Sequence, residues 1–274
     1  MNTKYVFLDI DGTLVGADGK VPDSARKAIC KARENGHKIF ICSGRCRCEM
    51  HENILSVPLD GIVGSAGAYV EIDGKVIFHR PMTEEMNTII LDYFLTRGMA
   101  ILLETNEELY GNDVAVLAIQ KYVEYCEANN KAYDKPLFDL VRPLSEVEEP
   151  SKLAVNKLIY ITDQYDPAEV RRDLGKEFTV VDSAIDMPGN SGEVSELGMH
   201  KGKGIEKVME YYGANLADTI GIGDGENDMG MLQACEVGIA MGNANPILKE
   251  IADYETTAVG EDGLYHALEH YGLI

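Results

Sequence analysis

Residues 5–14 read YVFLDIDGTL, in which a short apolar run is followed at once by Asp9, Asp11 and Gly12. An uninterrupted apolar run such as YVFL is typical of a strand that is buried on both faces. Open α/β sheets bind their ligands just beyond the carboxyl ends of such strands. The pattern therefore predicts a buried parallel strand over Tyr5–Leu8 with two carboxylates at its functional end.

The first third of the chain alternates apolar runs with amphipathic stretches. It predicts further strands at Lys38–Cys42 and Gly61–Val63, and helices at Asp23–Asn35 and Arg45–Leu55. The dipeptide Asp73-Gly74 stands between two short runs and predicts a β-hairpin. Strand–helix–strand alternation indicates parallel strands joined by right-handed crossovers, so the fold class is α/β with a doubly wound sheet.

The same alternation returns near the C-terminus, with a helix predicted at His200–Tyr212 and a strand at Thr219–Gly223. Between about Met82 and Pro188, helix-like segments are mixed with strands, and the acidic, proline-bearing stretch 136–150 indicates a surface loop. We therefore predict a core domain formed by 1–81 and 189–274, with an inserted α+β domain over 82–188. Linkers are expected near His79–Thr83 and Asp186–Ser191.

The composition limits the possible partners. Lys plus Arg number 25 and Asp plus Glu 46, which gives a formal net charge of −21 over 274 residues. Such a field repels nucleic acid and anionic membranes, so neither is an expected partner. It also repels phosphorylated substrates, so a site for them would need local positive charge. The N-terminus shows no signal-peptide pattern and no apolar run is long enough to span a bilayer, which favours a cytoplasmic location.

A second acidic motif follows the strand predicted at Thr219–Gly223. The sequence Gly223-Asp224-Gly225-Glu226-Asn227-Asp228 places three carboxylates within five residues. They would repel one another unless a cation lay among them, and oxygen ligands of this kind suit Mg²⁺. The alternative is an acidic first helical turn that interacts with the helix dipole.

Two further motifs offer groups that suit phosphate. Ser43-Gly44-Arg45 follows the second strand, and a hydroxyl together with backbone N–H groups at a helix start can bind an anion. A serine that only caps the helix is the simpler interpretation. His200-Lys201-Gly202-Lys203-Gly204 places lysines at a helix N-terminus, where the dipole disfavours cations unless an anion compensates. Either Lys201 or Lys203 can face the site, and we favour Lys201.

These motifs, in this order, resemble the haloacid dehalogenase superfamily, specifically its Cof-type, subfamily IIB branch of sugar-phosphatase-like hydrolases. The resemblance covers the whole chain, because the inserted segment falls between the second and third motifs, where that branch carries its cap domain. It implies a Rossmann-like core with an α/β cap. It also implies a magnesium-dependent phosphatase that forms a phospho-aspartate on small phosphorylated metabolites.

The resemblance also assigns roles to individual residues. Asp9 is expected to be the nucleophile, and Asp11 the general acid and then the general base. Ser43 and Lys201 are expected to hold the phosphoryl group with Gly44, Arg45 and Asn227 as further phosphate or substrate contacts. The expected Mg²⁺ ligands are Asp9, the backbone carbonyl of Asp11, Asp224 and Asp228, the last directly or through water.

One position departs from the family pattern: Ala66 stands where the family often has asparagine, which puts a substrate or cap contact in doubt. A phosphosugar mutase using the same aspartate remains an alternative, as does a non-catalytic regulatory protein on the same fold. The sequence identifies neither the substrate nor the oligomeric state. Acidic residues of the inserted segment, such as Glu104 and Asp113, are expected to be solvated surface groups.

Overall fold

The computed structural model describes residues 2–129, 138–182 and 189–274. The chain forms two compact units. The first contains Met1–Arg45, Met50–His79 and His200–Ile274, and the second contains Cys46–Glu49 and Arg80–Met199. The domain boundaries drawn from the sequence stay a prediction, and the boundary at 188/189 and the start of the linker at 186–191 lie outside the described residues.

The secondary structure alternates as an α/β chain does. The strands of the described residues are β1 (Tyr5–Leu8), β2 (Lys38–Cys42), β3 (Gly61–Gly64), β4 (Tyr69–Ile72), β5 (Lys75–His79), β6 (Ala100–Glu104), β7 (Leu109–Gly111), β8 (Val141–Pro143), β9 (Lys157–Thr162), β10 (Phe178–Asp182), β11 (Asn190–Glu196), β12 (Thr219–Gly223), β13 (Val237–Ala240) and β14 (Tyr254–Glu255). The α-helices there are α1 (Asp23–Glu34), α2 (Glu52–Leu55), α3 (Glu84–Thr96), α4 (Asp113–Ala128), α5 (Pro167–Leu174), α6 (Lys201–Tyr212), α7 (Met229–Ala234), α8 (Pro246–Ile251) and α9 (Gly263–His270).

The first unit is built on one sheet with the strand order β14-β13-β12-β1-β2-β3-β4-β5. The strands from β14 to β3 are parallel, and β4 and β5 complete the sheet in antiparallel fashion. Val6 of β1 lies between Ile220 of β12 and Ile39 of β2. β1 therefore has a parallel partner at each edge, and the predicted doubly wound sheet is confirmed.

Successive side chains of β1 enter two different cores, as the pleat of a strand requires. Leu8 packs into a cluster that includes Ile29 of α1 and Leu264 of α9. Phe7 packs on the other face, in a cluster with Ile205 of α6 and Met231 of α7. This two-sided burial explains why the run YVFL contains no polar residue.

Asp73 and Gly74 form the turn between β4 and β5, as predicted from the sequence. Both have positive φ, 49° and 73°, which two-residue hairpin turns favour. The predicted helix at Arg45–Leu55 is wrong. That stretch contains a 3₁₀ turn at Arg47–Glu49 and the single-turn helix α2 instead.

A buried carboxylate lies at the amino ends of the parallel strands, on the edge opposite the aspartates of the sequence motifs. Asp60 accepts hydrogen bonds from Arg33 Nε (2.9 Å), Lys38 Nζ (2.9 Å) and the backbone N–H of Ile39 (2.9 Å). Burial alone would raise the pKa of Asp60, but these bonds outweigh it, so its pKa lies below its ordinary value. This group therefore stabilises the fold in its ionised form.

The second unit has its own sheet, in the order β10-β11-β9-β6-β7-β8. Its strands are antiparallel except for the parallel pair β7 and β8. Helices α3 and α5 contribute to one apolar cluster of this unit, and α4 contributes to another. The surface loop predicted at 136–150 is wrong for Val141–Pro143, which form β8, while 136 and 137 lie outside the described residues.

The second unit also contains a buried ion-pair network. Lys157 Nζ lies 3.3 Å from Glu104 Oε2 and 3.0 Å from Glu193 Oε2. Glu104 is 1% exposed, so its expected position on the solvated surface is wrong, whereas Asp113 is exposed as expected. Of the helices in the described parts of the chain, none combines the length and apolar character needed to cross a membrane.

Candidate active site

Asp9 lies directly after β1 and is held by the first turn beyond the strand. Its backbone N–H donates to the carbonyl of Ile222 on β12 (3.0 Å), and its carbonyl accepts from Leu14 (3.2 Å). The residue is 5% exposed. Burial, and then the charge of Asp228, raise the pKa of Asp9 to about 7, and the adjacent Lys201 opposes this shift.

Gly12 allows this turn to close against the neighbouring strand end. It has φ +82°, and a Cβ built on it would lie 2.1 Å from Asp224 Oδ2. A larger residue would therefore be strained in its backbone and would also collide with that carboxylate. The glycine of the DxDG pattern thus brings the first and last acidic motifs into contact.

Lys201 is the first residue of α6 and is 1% exposed. Its Nζ lies 2.6 Å from Asp9 Oδ1 and also donates to Asp228 Oδ1. Burial alone would lower the pKa of Lys201, but the charges of Asp228 and Asp9 outweigh it and raise the pKa. Lys203, the alternative lysine, is exposed and pairs with Glu206 at 3.1 Å.

Asp228 is fully buried and organises the loop after β12. Its Oδ2 accepts from the backbone N–H groups of Asp224 and Gly225, each at 3.0 Å, and its Oδ1 accepts from Lys201. These bonds occupy both oxygens, so Asp228 fixes the loop and the lysine together. A role toward a cation is compatible with its remaining lone pairs.

Asp224 is partly buried and is held from two sides. Thr13 Oγ1 donates to its Oδ1 (3.4 Å), and Asn243 Nδ2 donates to its Oδ2 (3.1 Å). Burial and then the charge of Asp228 raise the pKa of Asp224 to about 6. Repulsion of this kind between neighbouring carboxylates favours binding of a cation among them.

Asp9, Asp224 and Asp228 form what we call the carboxylate cluster. One ligand atom from each lies within 4.8 Å of the others, so the three carboxylates could hold a metal ion together. The donor set is all oxygen and strongly anionic, so it fits a hard divalent cation such as Mg²⁺. Asp11, predicted to contribute its backbone carbonyl, does not add its side chain to the cluster.

The side chain of Asp11 is bound by Arg45 instead. Arg45 Nε donates to Asp11 Oδ2 and its NH2 group to Asp11 Oδ1, both at 2.9 Å. This two-point pairing fixes the plane of the carboxylate. Arg45, expected from the sequence at the phosphate, therefore contacts the candidate acid–base residue in this structure.

The remaining candidates lie on adjoining loops. Ser43 is 2% exposed, and its Oγ accepts from the backbone N–H of Arg45 (3.2 Å), a bond within a turn, because no helix begins at this position. A Cβ on Gly44 would lie 3.8 Å from Asn227 Nδ2, so the second motif and the last one meet there. The structure thus brings Ser43, Gly44 and Asn227 to the same edge of the sheet as Asp9.

Ala66 occupies a turn that supports the second motif. Its backbone N–H donates to the carbonyl of Ser43 (3.1 Å), and its φ is 51°. Asparagine adopts this left-handed conformation more readily than alanine. An asparagine at this position would therefore have a backbone advantage that does not require contact with the substrate.

Asn243 is a site residue that the sequence reasoning missed. Its Nδ2 lies 2.9 Å from the carbonyl oxygen of Gly12 and 3.1 Å from Asp224 Oδ2. The available signal was its place just after β13, because parallel strands bring their carboxyl ends to one edge. An amide has no distinctive chemistry in a sequence, and this one follows an ordinary glycine.

Comparisons with known proteins identify the family of this chain. A family model described as haloacid dehalogenase-like hydrolase matches residues 6–268. The chain is 28% identical to the putative phosphatase YkrA of Bacillus subtilis and 24% identical to its 5-amino-6-(5-phospho-D-ribitylamino)uracil phosphatase YcsE. The alignments cover 100% of this chain in both cases, and 100% and 97% of the relatives. Among solved structures, the subclass IIB sugar phosphatase BT4131 has a TM-score of 0.80 at 25% identity, with 99% of this chain and 100% of that one covered.

Proposed function

The chain belongs to the haloacid dehalogenase-like hydrolase family, and on that premise we propose that it is a magnesium-dependent phosphoric monoester hydrolase of small phosphorylated metabolites. The observation that carries the proposal is the contact between Lys201 Nζ and Asp9 Oδ1 at 2.6 Å, inside the carboxylate cluster. Phosphoryl transfer of this kind uses a nucleophile, a nearby cation and a binding site for a divalent metal, and the site has a candidate for each.

In the first step, Asp9 attacks phosphorus with a carboxylate oxygen. A P–O bond to Asp9 forms as the P–O bond to the substrate alcohol breaks, and Asp11 protonates the departing oxygen. Lys201 stays beside the reacting carboxylate and offsets negative charge on the transferring phosphoryl group. In the second step water attacks the phospho-aspartate, Asp11 takes the proton of that water, and Asp9 is released with inorganic phosphate.

The remaining groups orient these two aspartates. The Arg45 pairing fixes the carboxylate plane of Asp11 before substrate arrives. Asp9 and Asp224 would hold Mg²⁺ with the Asp11 carbonyl, and Asp228 would support it directly or through water. Bound Mg²⁺ supplies charge neutralisation at the phosphoryl oxygens. Lys201 and the metal would together offset the repulsion that a net charge of −21 exerts on an anionic substrate.

We propose sugar phosphates or related phosphorylated polyols as the substrate class. The names of two relatives support this choice: one is a sugar phosphatase, and the other acts on a phosphorylated ribityl compound. The described cysteines are free, which is compatible with a reducing cytoplasm. Nucleic acid is not an expected substrate for so acidic a chain.

The test is a panel of phosphorylated sugars and polyols with 4-nitrophenyl phosphate as a generic substrate. We expect Mg²⁺-dependent release of free phosphate that chelation abolishes and that Asp9→Asn loses. Isomer formation without phosphate release would identify a mutase instead. If the protein binds panel members but neither releases nor moves their phosphate, the proposed activity is wrong.

A further inference from the structure

Asn243 connects three segments of the first unit through one side chain. Its Nδ2 donates to the Gly12 carbonyl (2.9 Å) and to Asp224 Oδ2 (3.1 Å), and its Oδ1 accepts from the backbone N–H of Val259 (2.9 Å). Both amide atoms are therefore used. The bond from Val259 fixes the amide orientation, so the donor group faces the two strand ends that carry the acidic motifs.

The loop that carries Asn243 is held in place without this side chain. The backbone N–H of Met241 donates to Gly223 (3.0 Å), that of Gly242 to Thr257 (3.1 Å), and that of Asn245 to Asp224 (2.8 Å). Removing the amide of Asn243 therefore leaves the main-chain connections of the loop intact. The bond to the Asp224 carboxylate is a separate contribution, made by the side chain alone.

The two bonds to Asp224 leave the carboxylate able to bind a metal. Thr13 donates to one oxygen and Asn243 to the other, and each carboxylate oxygen keeps a further lone pair. Asn243 is uncharged, so it restrains Asp224 without neutralising it. It also contacts the Gly12 carbonyl, next to the aspartate turn, and thereby fixes Asp224 relative to that turn.

We infer that Asn243 is a positioning residue for the cation held by the carboxylate cluster. It acts on the cation through Asp224, whose orientation it sets relative to the turn containing Asp11 and Gly12. The inference rests on the proposed function, because it requires that Mg²⁺ binds at this cluster. Partners that orient a metal ligand typically change metal affinity by about 10–100-fold when they are removed.

The test measures Mg²⁺ binding to the metal-free, full-length protein by isothermal titration calorimetry. Asn243→Ala should weaken the Mg²⁺ affinity by about 10–100-fold. Asn243→Ser, which has a shorter side chain than asparagine, should give a similar loss and serves as the test variant if the alanine protein does not fold. Asn245→Ala is the matched control. It lies two residues away, is also exposed, and bonds Glu226 and the backbone at a helix N-terminus. The Mg²⁺ affinity of this variant should stay within threefold of the parent.

Kinetics add a second readout. At limiting Mg²⁺, the Asn243 variants should lose kcat, and saturating Mg²⁺ should restore most of it with little change in KM for the substrate. Equal affinities for the parent, Asn243→Ala and Asn243→Ser would overturn the inference and leave the proposed function intact. Failure of the parent protein itself to bind Mg²⁺ would overturn both.

Discussion

Exchange of Lys201 for methionine removes a buried cation while keeping a side chain of similar length. Lys201 is 1% exposed and donates to Asp9 and Asp228, so the variant leaves two buried carboxylates without this partner. Removing one member of a buried ion pair costs about 3–5 kcal/mol in the free energy of unfolding. Losing one donor to a developing negative charge costs about 2.7–4 kcal/mol in the barrier, or about 10²–10³-fold in kcat.

The assays are urea unfolding without metal and hydrolysis of 4-nitrophenyl phosphate at saturating Mg²⁺. Lys203→Met is the matched control, because Lys203 lies on the same helix and pairs with Glu206 at the exposed surface. Its kcat should stay within about twofold of the parent, since exposed pairs contribute little. The reasoning fails if Lys201→Met keeps more than a tenth of the parent kcat, or if Lys203→Met suffers the larger loss.

Three further substitutions test one turn of the site and two buried ionic groups elsewhere in the chain. Gly12→Ala should lose at least about 10²-fold in kcat, because the new Cβ would lie 2.1 Å from an oxygen of the carboxylate cluster. The control is Gly19→Ala, which also has positive φ but has open space around it and should retain activity. Asp60→Ala should lower the free energy of unfolding by roughly 2–3 kcal/mol at pH 7. Because folding lowers the pKa of Asp60, the difference in unfolding free energy between the parent and this variant should have its full size above about pH 4 and should shrink as the pH falls further. A difference that does not change with pH would contradict this account. Lys157→Met should lower the urea midpoint of unfolding clearly, whereas the control Lys152→Met, at an exposed position, should not. Equal midpoints for the two variants would show that the buried ion-pair network of the second unit contributes no stability.

The strand-end chemistry was predictable because it depends on short-range patterns. Buried strands show as apolar runs, and parallel strands bring their carboxyl ends to one edge. The motifs beginning at Asp9, Ser43 and Gly223 were therefore expected to meet. The choice between Lys201 and Lys203 was harder, because both lie in the same helical turn. The difference between them is burial, which the sequence of one segment does not specify.

The failures of the sequence reasoning come from tertiary contacts. The helix predicted at Arg45–Leu55 is interrupted because Cys46–Glu49 belongs to the second unit, where Arg47 N–H donates to Asn106 and Cys48 Sγ lies 3.3 Å from the Thr105 carbonyl. Those bonds join residues that are far apart in sequence, and helix propensity is too weak to resist them. Similarly, burial of Glu104 follows from its pairing with Lys157, which no local pattern shows.

Asn243 was missed for a different reason. The role of Asn243 in the site depends on its contacts with Gly12 and Asp224, which lie 231 and 19 residues away in the chain. Asparagine is common in loops and before helices, so its presence after β13 carries little information by itself. Only the three-dimensional arrangement distinguishes it from Asn245, which caps the next helix.

The central claim is that Asp9 becomes phosphorylated, and mass spectrometry of an acid-quenched reaction tests it most directly. The Asp11→Asn variant should be mixed with 4-nitrophenyl phosphate and Mg²⁺, because this leaving group needs little protonation while the second step still requires a base. We predict one added phosphoryl group on the peptide containing Asp9, at near-stoichiometric yield, and none in the double variant that also carries Asp9→Asn. Turnover without any modified Asp9 peptide, or modification of a different residue, would contradict the account.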